Sequence, residues 1–191
     1  MPKFRRLIPR PQVTADDVSL FAASQGWIDH GTREGKTTPI TARIWTPPDG
    51  ATRITLVEDR ALGLRYMTIA GEAERAVEET VRAGLPFVRR DEVLEMLRTA
   101  PAPEDVIGAL QILGAFANEY DEELAGALVR TFDHDDAQVR RAAIIAALYT
   151  EWRELEEPLE RVRTSDRDEE IRDLARIALE SLRPIWQREN R

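Results

Sequence analysis

The second half of this chain carries one phrase three times. It reads Leu97-Arg98-Thr99, Val129-Arg130-Thr131 and Val162-Arg163-Thr164, at offsets of 32 and 33 residues. A second mark follows each copy, at Val106, Val139-Arg140 and Ile171-Arg172, at offsets of 33 and 32. A period of this size constrains the fold more than any single residue does. It marks supersecondary units that cannot bury an apolar face alone and must stack on copies of themselves.

From Asp91 onward the apolar spacing is helical. Val93, Leu94 and Leu97 mark one helix, and Pro101 and Pro103 break it. Val106 to Phe116, Leu124 to Phe132, Val139 to Leu148, Leu155 to Val162 and Ile171 to Leu182 mark five more. Six helices in three antiparallel pairs are expected. The run Phe132-Asp133-His134-Asp135-Asp136-Ala137-Gln138-Val139-Arg140-Arg141-Ala142-Ala143 resembles the inter-helix turn and second helix of HEAT-like repeats, in their short phycobilisome-lyase form. Thr164 to Arg172 is similar. In the first copy Ala100 to Pro103 replaces the acidic turn, and Ile107 stands where later copies have Arg140 and Arg172. An atypical first copy suits a terminal, capping position. The resemblance implies an α-solenoid with an extended surface of the kind used to hold another protein.

The first half has a different period. Thr14 before Ala15-Asp16-Asp17 reads as an N-cap, and predicts a helix from Ala15 to Ser24 ended by Gly26. Trp27 to Pro39 is polar and reads as a loop. Ile40 to Thr46, Thr52 to Glu58 and Gly63 to Ala70 read as three strands of an antiparallel meander, with Pro47-Pro48-Asp49-Gly50 as a turn. A helix over Glu72–Ala83 follows, with Ala76, Val77, Thr80 and Val81 on its buried stripe, Glu78 and Glu79 outside it, and Gly84 as the C′ residue. The expected fold is therefore α+β: a small antiparallel three-stranded sheet with helices in residues 1–90, then an α-solenoid of three HEAT-like helical hairpins in residues 91–191.

Charge narrows the partner class. Residues 1–90 hold 14 Lys+Arg and 11 Asp+Glu, whereas residues 91–191 hold 13 and 24. An acidic helical half argues against a general phosphate-backbone binder, because such contacts draw on Lys and Arg, and it suits a basic protein. Arg140, Arg141, Arg172 and Arg176 would serve a DNA-binding face, but Asp136, Glu169, Glu170 and Asp173 dilute them. There is no cysteine, so disulfides and thiolate chemistry are excluded. No stretch reaches the roughly 18 apolar residues of a membrane span. The basic segment Met1–Pro11 lacks the apolar core of a signal peptide, so a cytoplasmic setting is expected.

Few residues are marked for chemistry. His134 lies among Asp133, Asp135 and Asp136, but a metal needs three or four converging ligands and no second histidine is near in sequence. Asp29-His30 could orient a general base, yet no motif marks a nucleophile beside it. Gly31 and Gly35-Lys36-Thr37 lack the glycine spacing of a phosphate loop. No cofactor is expected. Arg140 is expected to reach Asp133 or a neighbouring repeat, and Arg172 to reach Asp166. Trp152 and Trp186 each follow the second helix of a copy and either pack there or form a binding strip. With Arg140, Arg172, Asp136 and Glu169 they make the candidate partner-binding set. The reading is a non-enzymatic protein-interaction module, adaptor or inhibitor in kind, whose acidic surface meets a basic partner. The alternative is a nucleic-acid-acting repeat protein, or an enzyme with its site where the two regions meet.

Overall fold

Thr14 starts the first helix in the manner its neighbours allow. Its Oγ1 accepts the Asp17 N–H at 3.1 Å, and the Asp17 carboxylate accepts the Thr14 N–H at 2.8 Å. This reciprocal capping box fixes α1 over Ala15–Ser24, as the sequence predicts. The computed structural model describes residues 5–35, 39–60, 62–117 and 119–189. Their contacts divide the chain into two compact units, Met1–Arg89 and Arg90–Arg191.

The first unit holds a five-stranded antiparallel sheet rather than the three-stranded meander expected. Its strands are β1 (Arg5–Leu7), β2 (Ile28–Glu34), β3 (Ile40–Thr46), β4 (Thr52–Asp59) and β5 (Leu64–Gly71), in the order β1-β5-β4-β3-β2. The three predicted strands form its centre and the two missed strands are its edges. β1 has three residues, too few to show a period. β2 is exposed along its whole length, so it has no buried side chains to alternate with polar ones. Between Asp29 and Thr32 its pairing with β3 slips, and Gly31 sits there at φ 77°. A bulge and a charged outer strand are ordinary protections for a sheet edge.

One face of this sheet carries the apolar core. The register puts Trp45 opposite Ile54, Ile54 opposite Ile69, and Leu56 opposite Met67, and all five are buried. Val18 and Ala22 of α1 join this cluster, as do Val77 and Val81 of α2 (Glu74–Gly84). Arg43 fastens α1 to the sheet: Nη1 donates to Ser19 Oγ at 2.6 Å, and the guanidinium lies over the Trp45 ring. The α2 stripe is rotated from expectation. Glu78 is buried at 8% exposure with Arg82 Nε donating to it at 2.8 Å, while Ala76 and Thr80 face outward. Gly84 is the last residue of α2 and not a left-handed C′ residue. Its lack of a side chain serves packing, because a Cβ there would lie 2.1 Å from Phe21 Cε2.

The second unit is helical: α3 (Arg90–Thr99), α4 (Pro103–Phe116), α5 (Glu122–Thr131), α6 (Ala137–Thr150), α7 (Glu156–Ser165) and α8 (Glu169–Glu189). A single 3-10 turn, Arg153–Leu155, precedes α7. Consecutive helices pack as α3 on α4, α5 on α6 and α7 on α8, while α4 meets α6 and α6 meets α8. The α4–α6 approach is close: a Cβ on Gly114 would sit 3.1 Å from Ala146 Cα. Helix α8 runs past Pro184, beyond the predicted end at Leu182, and thereby includes Trp186. Ile177, read as part of its apolar stripe, is 48% exposed. Among the described residues no helix is long and apolar enough to cross a membrane.

Replacing Thr14 by Ala removes one half of the capping box. Unfolding in urea is expected to show a loss of about 1 kcal/mol, with the slope of the transition unchanged.

Candidate binding surfaces of the helical unit

The repeated Val/Ile-Arg mark does a specific job in the loops. Asp136 caps α6 by accepting the Gln138 N–H at 2.7 Å, and 32 residues later Asp168 accepts the Glu170 N–H at 2.9 Å. Two residues before each cap, another side chain closes the loop. His134 Nδ1 accepts the Asp136 N–H at 3.0 Å, and Asp166 Oδ1 accepts the Asp168 N–H at 2.8 Å. The arginine one turn into each helix then gathers the loop carbonyls. Arg140 Nη1 donates to His134 O at 2.9 Å and to Asp135 O at 3.0 Å, and Arg172 Nη1 donates to Asp166 O at 2.7 Å. His134 thus occupies the structural place of Asp166, and its ring nitrogen is used as a loop acceptor. Among the described residues no group of three or more His, Asp or Glu is placed to hold a metal.

Arg140 has a second contact that joins the two loops. Its Nε and Nη2 donate to the two oxygens of Asp166 at 2.8 and 3.1 Å, with side-chain exposures of 4% and 5%. This is the neighbouring-copy contact allowed by the sequence reading, not the Asp133 contact. Arg172 meets the Asp166 backbone and not its carboxylate. Asp133 instead pairs at the surface with Arg161 at 3.1 Å. The first copy has no such clamp because Ile107 cannot donate. The position that would receive it holds His134, so the donor and the acceptor are missing together.

The two tryptophans are packed away. Trp152 and Trp186 are 5% and 3% exposed, so neither offers a ring to a partner. Trp186 Nε1 donates to Glu151 O at 2.7 Å and pins the end of α6, where Glu151 adopts a left-handed φ of 56°. Trp152 packs edge to face with Tyr120, ring centres 5.6 Å apart. Of the remaining candidates, Arg140 is buried, Arg172 and Asp136 are half-buried loop-binding groups, and only Glu169 is fully exposed.

Two surface features were not foreseen. The first is Tyr120, 47% exposed in the α4–α5 loop. Partial desolvation, then the charges of Glu154, Glu122 and Asp121, push its phenol above the ordinary value. Asp121 is neutralised by Arg90, which also donates to Glu123 at 2.9 Å. Among the described residues Glu122 and Glu154 form no ion pair, so an aromatic ring stands beside two carboxylates without a paired cation. The second is a groove of about 830 Å³ lined by α3, α5 and the His134 loop, with Leu94, Leu97, Val106 and Ala127 among its apolar walls.

In the first unit Asp29 and His30 are engaged by different groups. Asp29 Oδ2 accepts from Arg43 Nη2 at 2.6 Å and Oδ1 accepts the Gly31 N–H, while His30 Nε2 lies 2.9 Å from Thr46 Oγ1. The Arg43 bond, chiefly, holds the Asp29 carboxyl below the usual carboxylate range. Lys36 and Thr37 lie outside the described residues. No family model, curated protein or solved structure matches the chain.

Replacing Arg140 by Ala leaves the Asp166 carboxylate buried without its cation. The expected loss is about 3–5 kcal/mol by chemical denaturation, and the double variant Arg140→Met/Asp166→Leu should cost less than either single change. Arg90, chiefly, depresses the Asp121 carboxyl. A depressed acid contributes stability above its unfolded value of about 3.9, and that part is lost as pH falls through the lower folded value. Asp121→Asn should therefore flatten the acid limb of a stability-versus-pH profile while lowering stability at pH 7.

Proposed function

We propose that the helical unit is a stack of three HEAT-like hairpins that binds a basic protein partner through its acidic outer surface. The observation that carries this reading is the charge of residues 91–191, with 24 Asp+Glu against 13 Lys+Arg. Several of those arginines are already spent inside the unit, as Arg140 is on Asp166 and Arg183 on Glu156. Each such pair removes one acid with each base, so the acidic excess of the unit stays as the totals give it. A field of this sign speeds the encounter with a cationic partner and repels phosphate backbones.

Tyr120 with Glu122 and Glu154 is the favoured contact point. An exposed phenol ring accepts an Arg or Lys side chain on its face, and adjacent carboxylates add ion pairing. The packing order supports the repeat part of the reading: each second helix meets the second helix of the next pair, as rungs of a stack would. Adaptor and inhibitor roles both follow from such a surface. Function read from a repeat fold is an analogy, whereas the charge argument stands on this chain's own residues.

The test uses a fluorescein-labelled tetra-arginine peptide and a tetra-glutamate control, followed by anisotropy on the full chain. Tetra-arginine is expected to bind at an ionic strength of about 0.02 M, and to weaken at least tenfold by about 0.5 M as screening shortens the field. Tetra-glutamate is expected to show no binding. Glu122→Lys/Glu154→Lys should lower the low-salt affinity several-fold. Failure of tetra-arginine to bind at low salt removes the proposal. Binding of duplex DNA in its place would restore the nucleic-acid reading.

A further inference from the structure

The groove between α3 and α5 is lined by three arginines and three acids, so it lacks the acidic excess of the rest of the unit. In the repeated phrase the arginine is normally tied to a glutamate one turn back on its own helix. Arg98 donates to Glu95 at 2.6 Å, and Arg163 donates to Glu160 at 2.5 Å. In the middle copy Ala127 stands at that position, so Arg130 has no such partner. Among the described residues its side chain forms no ion pair or hydrogen bond, and Nη1 lies 3.7 Å from where a Cβ on Gly126 would be. The other groove arginines are engaged, Arg98 by Glu95 and Arg90 by Asp121 and Glu123.

We infer that this groove binds an extended peptide segment of a partner, with an Asp or Glu of the peptide on Arg130 and a neighbouring apolar side chain on Leu94 and Leu97. The geometry sets the length and the polarity. Each wall helix has 10 residues, about 15 Å at helical rise, which accommodates about four or five extended residues. The salt bridge from Arg90 to Asp121 joins the helix starts, so the unengaged cation is at the other end, with Thr131 and His134. His134 uses Nδ1 to accept from the Asp136 N–H, which leaves Nε2 as the donor of the neutral ring. Leu94 and Leu97 are only half-buried, so they present apolar surface that an occupant would cover. A guanidinium beside an apolar wall recognises a carboxylate with geometric specificity that a surface lysine lacks. This site is independent of the acidic outer surface and selects a peptide of opposite sign.

The test is a bead-displayed random hexapeptide library sorted on the full chain. Enrichment of sequences with Asp or Glu one or two residues from Leu, Ile or Phe is expected. Arg130→Glu should invert the selection toward Lys and Arg, and Arg130→Gln should weaken an enriched acidic peptide at least tenfold. Arg130→Lys should retain acidic selection with a smaller loss, and an unchanged thermal midpoint is expected for all three variants, since Arg130 is exposed and unpaired. No enrichment, or acidic sequences that survive Arg130→Glu, overturns the inference. The tetra-arginine titration reads the outer surface separately, so one site can fail while the other stands.

Discussion

The helical unit depends on one ion pair that is almost wholly out of water. Arg140 and Asp166 are bound through two hydrogen bonds, and Arg140 spends its remaining donor nitrogen on two carbonyls of its own loop. Taking both charges from water costs several kcal/mol each, and only this degree of satisfaction offsets it. Apolar seams between helices tolerate sliding, whereas a bidentate pair between two loops fixes how one helix pair sits on the next. Arg167 adds a bond across the same gap, to the Asp135 carbonyl.

The first joint of the unit is fastened differently. Between the first and second pairs, Ile107 and His134 replace the clamp, and the joint relies on α4–α6 packing at Gly114 and on Arg90 at the helix starts. Arg90 spans Asp121 and Glu123, both partly in solvent, where screening weakens such pairs. The groove lies along this joint. Arg130 has no glutamate one turn back because Ala127 stands where Arg98 and Arg163 have Glu95 and Glu160.

The sequence disclosed the elements with strong signals. All six helices of the second unit followed from the apolar period, and α1 followed from Thr14 and Asp17. The edge strands stayed hidden for a physical reason. β2 has no buried face, so its conformation is set by pairing with β3 and by the Asp29–Arg43 bridge, neither of which leaves a pattern along the chain. The sequence places Glu78 outside because charge counts toward solvent in a helical stripe. Arg82 removes that penalty from four residues away. The loop clamp was half legible: Arg140 and its acidic loop could be seen, but two candidate acceptors could not be separated without knowing which loop lay alongside.

The candidate binding residues show the sharper limit. Periodicity finds residues that recur, and here those residues hold the helical unit together. Trp186, Arg140 and Arg172 are of that kind, and each is engaged inside the unit. The surfaces proposed for a partner lie where the pattern fails: Tyr120 in the α4–α5 loop, and Arg130 opposite a missing glutamate. A repeat read for what it conserves gives the scaffold. Read for its exceptions, it gives the places where the scaffold has chemistry to spare.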